Sequence, residues 1–239
     1  MDYFDKAETW DRATLETVQL ARLKTTIQQA SRAPFYAKRL AEAGVSADNL
    51  RSLEDIRRIP FTSKDDLRSQ YPYGLATVPH SEFVRMHCSS GTTGTPVAVC
   101  YTQSDINSWA DLMARCLYMA GVRKDDVFQN MSGYGLFTGG LGIHFGAERL
   151  GCMTIPAGAG NSKRQLKLVK DFGTTVAHIL PSYALHLGTT LIEEGEDPKA
   201  LSLRIACVGA EPYTEETRRR IEALFDMKVY NSYGLSEMN

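Results

Sequence analysis

The chain reads as an α/β protein: a helical N-terminal segment, then a layered α/β core with a largely parallel sheet. Two observations predict the core. Stretches such as residues 176–180 and 203–208 are apolar on both faces, as strands are when helices cover a sheet from both sides. Between such stretches lie amphipathic segments of helix length, so strand and helix alternate at βαβ spacing. A third observation sets the N-terminal segment apart: residues 1–80 carry a helical stripe and then Pro60, Pro72 and Pro79, which break the chain into short pieces.

The elements follow in order. Leu20, Leu23, Ile27 and Ala30 mark the buried stripe of a first helix. A second is expected over residues 35–43, beginning after Pro34 and stopped by Gly44. Strands are expected at 83–88 and 97–101, flanking a Ser/Thr/Gly loop. Residues 102–120 read as a helix with Ile106, Ala110, Met113 and Leu117 on one face and Gly121 as its stop. A strand at 127–131 precedes residues 133–151, which hold seven glycines, and a strand at 153–155 follows. Ser162 is expected to cap a helix with inner face Leu166, Val169 and Phe172, ended by Gly173. After the strand at 175–180, Pro181 opens a helix where its missing N–H costs nothing. Thr214 caps the last helix, with Glu215 and Glu216 complementing its dipole.

Composition excludes several functions. The 239 residues carry 27 basic and 28 acidic side chains, a formal charge of −1, so neither a polybasic nucleic-acid binder nor an acidic tail is expected. Apolar runs fall short of the ~18 residues of a membrane span, and Met1-Asp2-Tyr3-Phe4-Asp5 lacks the basic start and apolar core of a signal peptide. A cytoplasmic protein with small-molecule partners, no nucleic acid and no membrane is expected; a homodimer is neither implied nor excluded. The five cysteines form no C-x-x-C pair and are expected to be reduced and mostly buried. The five histidines show no zinc spacing with them, and His178, inside an apolar run, reads as a core histidine.

The most informative stretch is Ser89-Ser90-Gly91-Thr92-Thr93-Gly94-Thr95-Pro96. Five hydroxyls and two glycines in eight residues make a donor-rich loop able to wrap an anion. It has no lysine and leads into a strand rather than a helix, so it is not a P-loop and a P-loop kinase is disfavoured. The alternative is an ordinary Ser/Gly turn between strands, though such turns usually mix in Asn or Asp and need only about two to five residues.

This loop resembles the signature of adenylate-forming enzymes, the superfamily of acyl–coenzyme A synthetases, luciferases and peptide-synthetase adenylation domains. Ala33-Pro34-Phe35-Tyr36, Leu40-Ala41-Glu42-Ala43-Gly44-Val45, Leu53-Glu54-Asp55-Ile56, Ile59-Pro60-Phe61-Thr62-Ser63-Lys64 and, most specifically, the glycine-rich run 133–142 resemble its phenylacetate–coenzyme A ligase branch. The resemblance implies the N-terminal domain of such an enzyme, truncated, with ATP, Mg²⁺ and coenzyme A as cofactors or co-substrates and an aryl acetate as the acid.

The roles it implies are specific. Ser89, Ser90, Gly91, Thr92, Thr93 and Gly94 would hold the β- and γ-phosphates; Thr95 stands where many relatives carry lysine. Gly209-Ala210-Glu211-Pro212 would bound the adenine. In Asn231-Ser232-Tyr233-Gly234-Leu235-Ser236-Glu237, Tyr233 would offer a flat face, Gly234 a close backbone approach, Ser236 a donor to the α-phosphate and Glu237 a hard oxygen for Mg²⁺; Ser236 and Glu237 are the catalytic candidates. Tyr134 and Phe137 would line the acid pocket, with Ile179 and Pro181 closing it. Members of the family continue past Glu237 with a ribose-binding acid, a hinge and a lid carrying a catalytic lysine, so the chain is expected to be an inactive or weakly binding fragment. Alternatives are another aryl acid, a deazaflavin adenylated without a thioester, or a nucleotide-binding fragment with no activity.

Overall fold

The computed structural model describes residues 3–89, 95–136 and 138–237. The chain forms two compact units, residues 1–105 and 106–239. None of its described helices is long and apolar enough to cross a membrane.

In the first unit α1 (Arg12–Ala30) starts at Asp11, whose carboxylate accepts from the Thr14 N–H. Helix α2 (Pro34–Glu42) begins on its proline, and Gly44 follows it at φ +62°. Ile27, Leu40, Val45 and Leu50 pack with Leu20 and Leu23 into one small core, which takes in three of the four predicted stripe residues but not Ala30. Ser63 and Asp66 cap α3 (Lys64–Ser69) reciprocally. Strand β1 (Phe83–Cys88) pairs antiparallel with β2 (Ala98–Thr102).

The second unit takes up α4 (Gln103–Met119), β3 (Val127–Asn130), α5 (Thr138–Leu150), β4 (Met153–Ile155), α6 (Ser162–Phe172), β5 (Val176–Ile179), α7 (Pro181–Glu193), β6 (Ile205–Gly209), α8 (Glu215–Phe225) and β7 (Lys228–Ser232). The five strands are all parallel, in the order β4-β3-β5-β6-β7. Helices cover both faces. Leu166, Val169, Leu187, Leu191, Ile221 and Phe225 of α6–α8 pack on Ala177, Ile179, Ala206 and Val208. Leu117, Ile143 and Ala147 of α4 and α5 pack with Val176, Ile205 and Cys207, the alternate residues of the same strands. Double-sided burial is why these strands are apolar throughout.

One local reading is corrected and one gap is filled. Asn161, not Ser162, caps α6: it sits at φ +56° and its side chain accepts from the Arg164 N–H, a left-handed conformation that asparagine tolerates better than serine. The glycine-rich run, for which the sequence predicted no element, holds α5, which starts inside it at Thr138. Gly173 ends α6, Pro181 opens α7 and Thr214 caps α8 as expected.

Candidate functional site

The chain leaves β3 towards β4 on one side and returns to β5 on the other. That reversal opens a crevice outside the carboxyl ends of β3 and β5, where open α/β sheets bind ligands. The buried polar groups Asn130, Ser132, Thr138 and His178 gather there. Asn130 ends β3 and donates through Nδ2 to the Gly140 carbonyl at 2.8 Å. The Ser132 hydroxyl donates to Asn130 Oδ1 at 2.7 Å, and His178 Nδ1 lies 3.0 Å from each of those oxygens. Burial pushes the His178 imidazole down to about 4, so it is neutral at physiological pH. It is the core histidine its sequence context suggested, but a hydrogen-bonded one that steadies the turn after β3.

Tyr134 stands on that turn, half-buried. Its hydroxyl meets His144 Nδ1 at 3.1 Å, with the rings edge to face at 5.6 Å. His144 Nε2 in turn lies 3.1 Å from Glu148 Oε1, one helical turn along α5. Burial pushes the phenol upward; a hydrogen bond with Asn130 works against that, and the nearby Glu148 charge adds to it.

The ends of β6 and β7 carry the motifs at 209–212 and 231–237. Gly209 ends β6 against β7, and a Cβ there would come within 2.1 Å of the Ser232 carbonyl oxygen. Ala210 follows at φ +69°. Glu211 Oε1 accepts from the Ser182 N–H at 2.6 Å, so this carboxylate caps the start of α7, where the helix dipole favours it. Pro212 completes the turn. Asn231 and Ser232 lie inside β7 rather than in a loop, and Tyr233 is 83% exposed, its ring face open. The Ser236 hydroxyl accepts from Thr138 Oγ1 at 3.2 Å, which joins the end of this motif to the first residue of α5.

The remaining candidates fall elsewhere. Ile179 is packed among Leu166, Leu187 and Val208 in the core, and Pro181 is buried as the first residue of α7. In the first unit Ser89 extends the β1–β2 ladder: its N–H donates to the Val97 carbonyl, and its Oγ accepts from the Val97 N–H, both at 2.9 Å. Ser90, Gly91, Thr92, Thr93, Gly94 and Phe137 lie outside the described residues. Among the described residues no three histidine, cysteine or acidic side chains cluster as metal ligands; Glu237 is the one carboxylate in its motif. Sequence reasoning missed Asn130, Ser132, Thr138, His144 and Glu148. The four-residue step from His144 to Glu148 was the one local signal.

A doubly covered parallel sheet, with glycine-bearing turns and aromatic residues at its carboxyl ends, is the architecture of an open α/β protein that takes its ligands at those ends. The chain belongs to the AMP-binding enzyme family, whose pattern it matches over residues 13–239. It is 47% identical over 235 residues to the phenylacetate–coenzyme A ligase of Pseudomonas putida, covering 98% of this chain and 54% of that one. It is 46% identical over 239 residues to the phenylacetate–coenzyme A ligase of Thermus thermophilus, again 54% of the relative. A crystal structure of 2-hydroxyisobutyryl-CoA ligase with 2-HIB-AMP and CoA superposes with a TM-score of 0.89 at 31% identity, over 99% of this chain and 54% of that one. The chain thus spans about half the length of the relatives it matches, and its sheet is that of an adenylate-forming ligase.

Proposed function

We propose that this chain is the acid- and nucleotide-binding part of an ATP-dependent, AMP-forming ligase joining an aryl acetate, phenylacetate first, to coenzyme A. The observation that carries the reading is the contact between Thr138 and Ser236. It brings the glycine-rich acid segment and the nucleotide motif to one point, which a reaction between a carboxylate and an α-phosphate requires. The relatives named phenylacetate–coenzyme A ligase support the acid, and the solved relative holding an acyl-AMP and CoA supports the two-step course.

In the first step the carboxylate oxygen attacks the α-phosphorus of ATP, the P–O bond to the β-phosphate breaks, and acyl-adenylate and pyrophosphate form. In the second the thiol sulfur attacks the acyl carbon, AMP leaves and the thiol proton passes to solvent. No protein nucleophile is needed, so this chain's contribution is positioning and electrostatics. Ser236 donates to the α-phosphate oxygens, and Tyr233 offers its exposed face to adenine. Gly209, Ala210, Glu211 and Pro212 bound the base, with Asn231, Ser232 and Gly234 shaping the opposite wall. Tyr134 meets the aryl ring; Ile179 and Pro181 support that wall from the core. Residues 89–94 grip the outer phosphates. Glu237 suits Mg²⁺, which takes one or two carboxylates and completes its shell with phosphate and water; when bound it would neutralise phosphate charge.

The test is ATP–pyrophosphate exchange by the full-length gene product. Exchange should depend on phenylacetate, and Glu237→Gln should lower it at least about 100-fold, the scale of losing one electrostatic group at a reacting centre. Exchange that ignores the acid would refute the ligase reading, and near-normal exchange in the variant would refute the metal role.

A further inference from the structure

The hydroxyl of Tyr134 is not free to meet a ligand. Glu148 Oε1 lies 3.1 Å from Nε2 of His144, so in the neutral imidazole the proton sits on Nε2 and Nδ1 is left as a lone-pair acceptor. The acceptor faces Tyr134, so the phenol proton points at His144. Asn130, already bound to Gly140 and Ser132, contacts the same hydroxyl. The phenol is thereby held from two sides, and the edge-to-face packing of the two rings fixes the plane of Tyr134. His144 is itself wedged by Phe145, whose ring stands edge-on at 5.4 Å.

We infer that His144, oriented by Glu148, is a specificity-determining positioning residue: it turns the Tyr134 phenol proton inward, so that Tyr134 presents a ring face without a free donor to the acid and selects an unsubstituted aryl group. This rests on the reading of Tyr134 as acid-pocket wall. With the clamp intact, a hydroxyl on the acid's ring meets no donor and loses its hydration uncompensated, which is disfavoured. With the clamp removed, the Tyr134 hydroxyl is released to donate to it.

The experiment compares kcat and KM for phenylacetate and 4-hydroxyphenylacetate, followed as AMP release by the full-length gene product. His144→Ala should raise KM for phenylacetate with kcat little changed. It should lower the phenylacetate preference by about fivefold or more, the worth of one neutral hydrogen bond. His144→Asn, whose Oδ1 stands near the position of Nδ1, should restore the preference, as should Glu148→Gln, which keeps an acceptor for Nε2. In a Tyr134→Phe background, which has no hydroxyl to release, His144→Ala should leave the preference where Tyr134→Phe alone sets it, and His144→Gln serves as the clamp-breaking variant should His144→Ala fail to fold. An equal loss for both acids, or full additivity with Tyr134→Phe, would overturn the clamp. Tyr134→Ala separates the two layers of the argument. If it raises KM while His144→Ala leaves the preference unchanged, the clamp alone fails; if it leaves KM for both acids untouched, the pocket reading fails with it.

Discussion

Asp126 shows how one side chain ties the sheet together at the end opposite the candidate site. It sits just before β3 and is almost fully buried. It accepts from Arg204 Nε at 2.8 Å, from the Thr175 hydroxyl at 2.8 Å and from the Arg123 N–H at 2.7 Å. Burial alone would raise its pKa, but the Arg204 guanidinium, the Arg123 N–H and the Thr175 hydroxyl outweigh it and hold the carboxyl below its ordinary value. A lowered folded-state pKa means the contribution is present above the unfolded value, near 4, and is lost as pH falls towards the depressed one. Asp126→Asn should therefore cost about 2 kcal/mol at pH 7, the scale of hydrogen bonds to a charged group, and clearly less at pH 3. Urea unfolding of both proteins at the two pH values decides it; an equal difference at both would show that the charge is irrelevant. None of this was legible in the sequence, because Asp126 and Arg204 lie far apart along the chain and nothing local links them.

At the scale of elements, legibility followed the range of the signal. Gly173, Pro181 and Thr214 act within one turn of chain, and each did what its type predicts. Helix α5 was hidden because glycine is a poor helix former, and its reason for being glycine-rich is an encounter across the core. A Cβ on Gly142 would stand 2.3 Å from the Trp109 ring, and one on Gly146 would stand 2.5 Å from Met113 Cβ. The glycines let α5 lie close against α4 and so carry Thr138 and His144 to the carboxyl end of β3. Gly142→Ala should then destabilise the protein despite a gain of up to ~1 kcal/mol in helix propensity. Overpacking of a rigid indole costs about 1–3 kcal/mol, so the net change should be a loss. A thermal melt measures it, and a stabilised variant would mean that α4 and α5 yield easily. The motifs at 209–212 and 231–237 could be picked out for the opposite reason, since each is a contiguous run of sequence at or beside a strand end. The His178–Asn130–Ser132 cluster is assembled from two strands, and only the sheet register brings its members together.

For the whole molecule, the placement of thiols gives a reading of how its layers hold. The cysteines are free; Cys88, Cys152 and Cys207 are buried, and Cys116 is exposed. Burial pushes Cys207 up to about 12 and Cys152 up to about 11, which removes the thiolate that reacts. In the folded protein at pH 8, Cys116 should be the fast-reacting thiol with a disulfide reagent, and Cys116→Ser should remove that phase. Cys152 and Cys207 share one apolar cluster with Leu117, Phe128 and Ile143, between the sheet and α4–α5. Neither can reach solvent unless that layer opens, and a layer packed on both sides opens cooperatively. With rising urea the two should become reactive together, at the midpoint seen by far-UV circular dichroism. Cys88 belongs to the first unit. If Cys152 reacts well before Cys207, then β4, at the edge of the sheet, detaches on its own, and the β3–β4 side of the crevice that presents Tyr134 opens without the rest of the sheet.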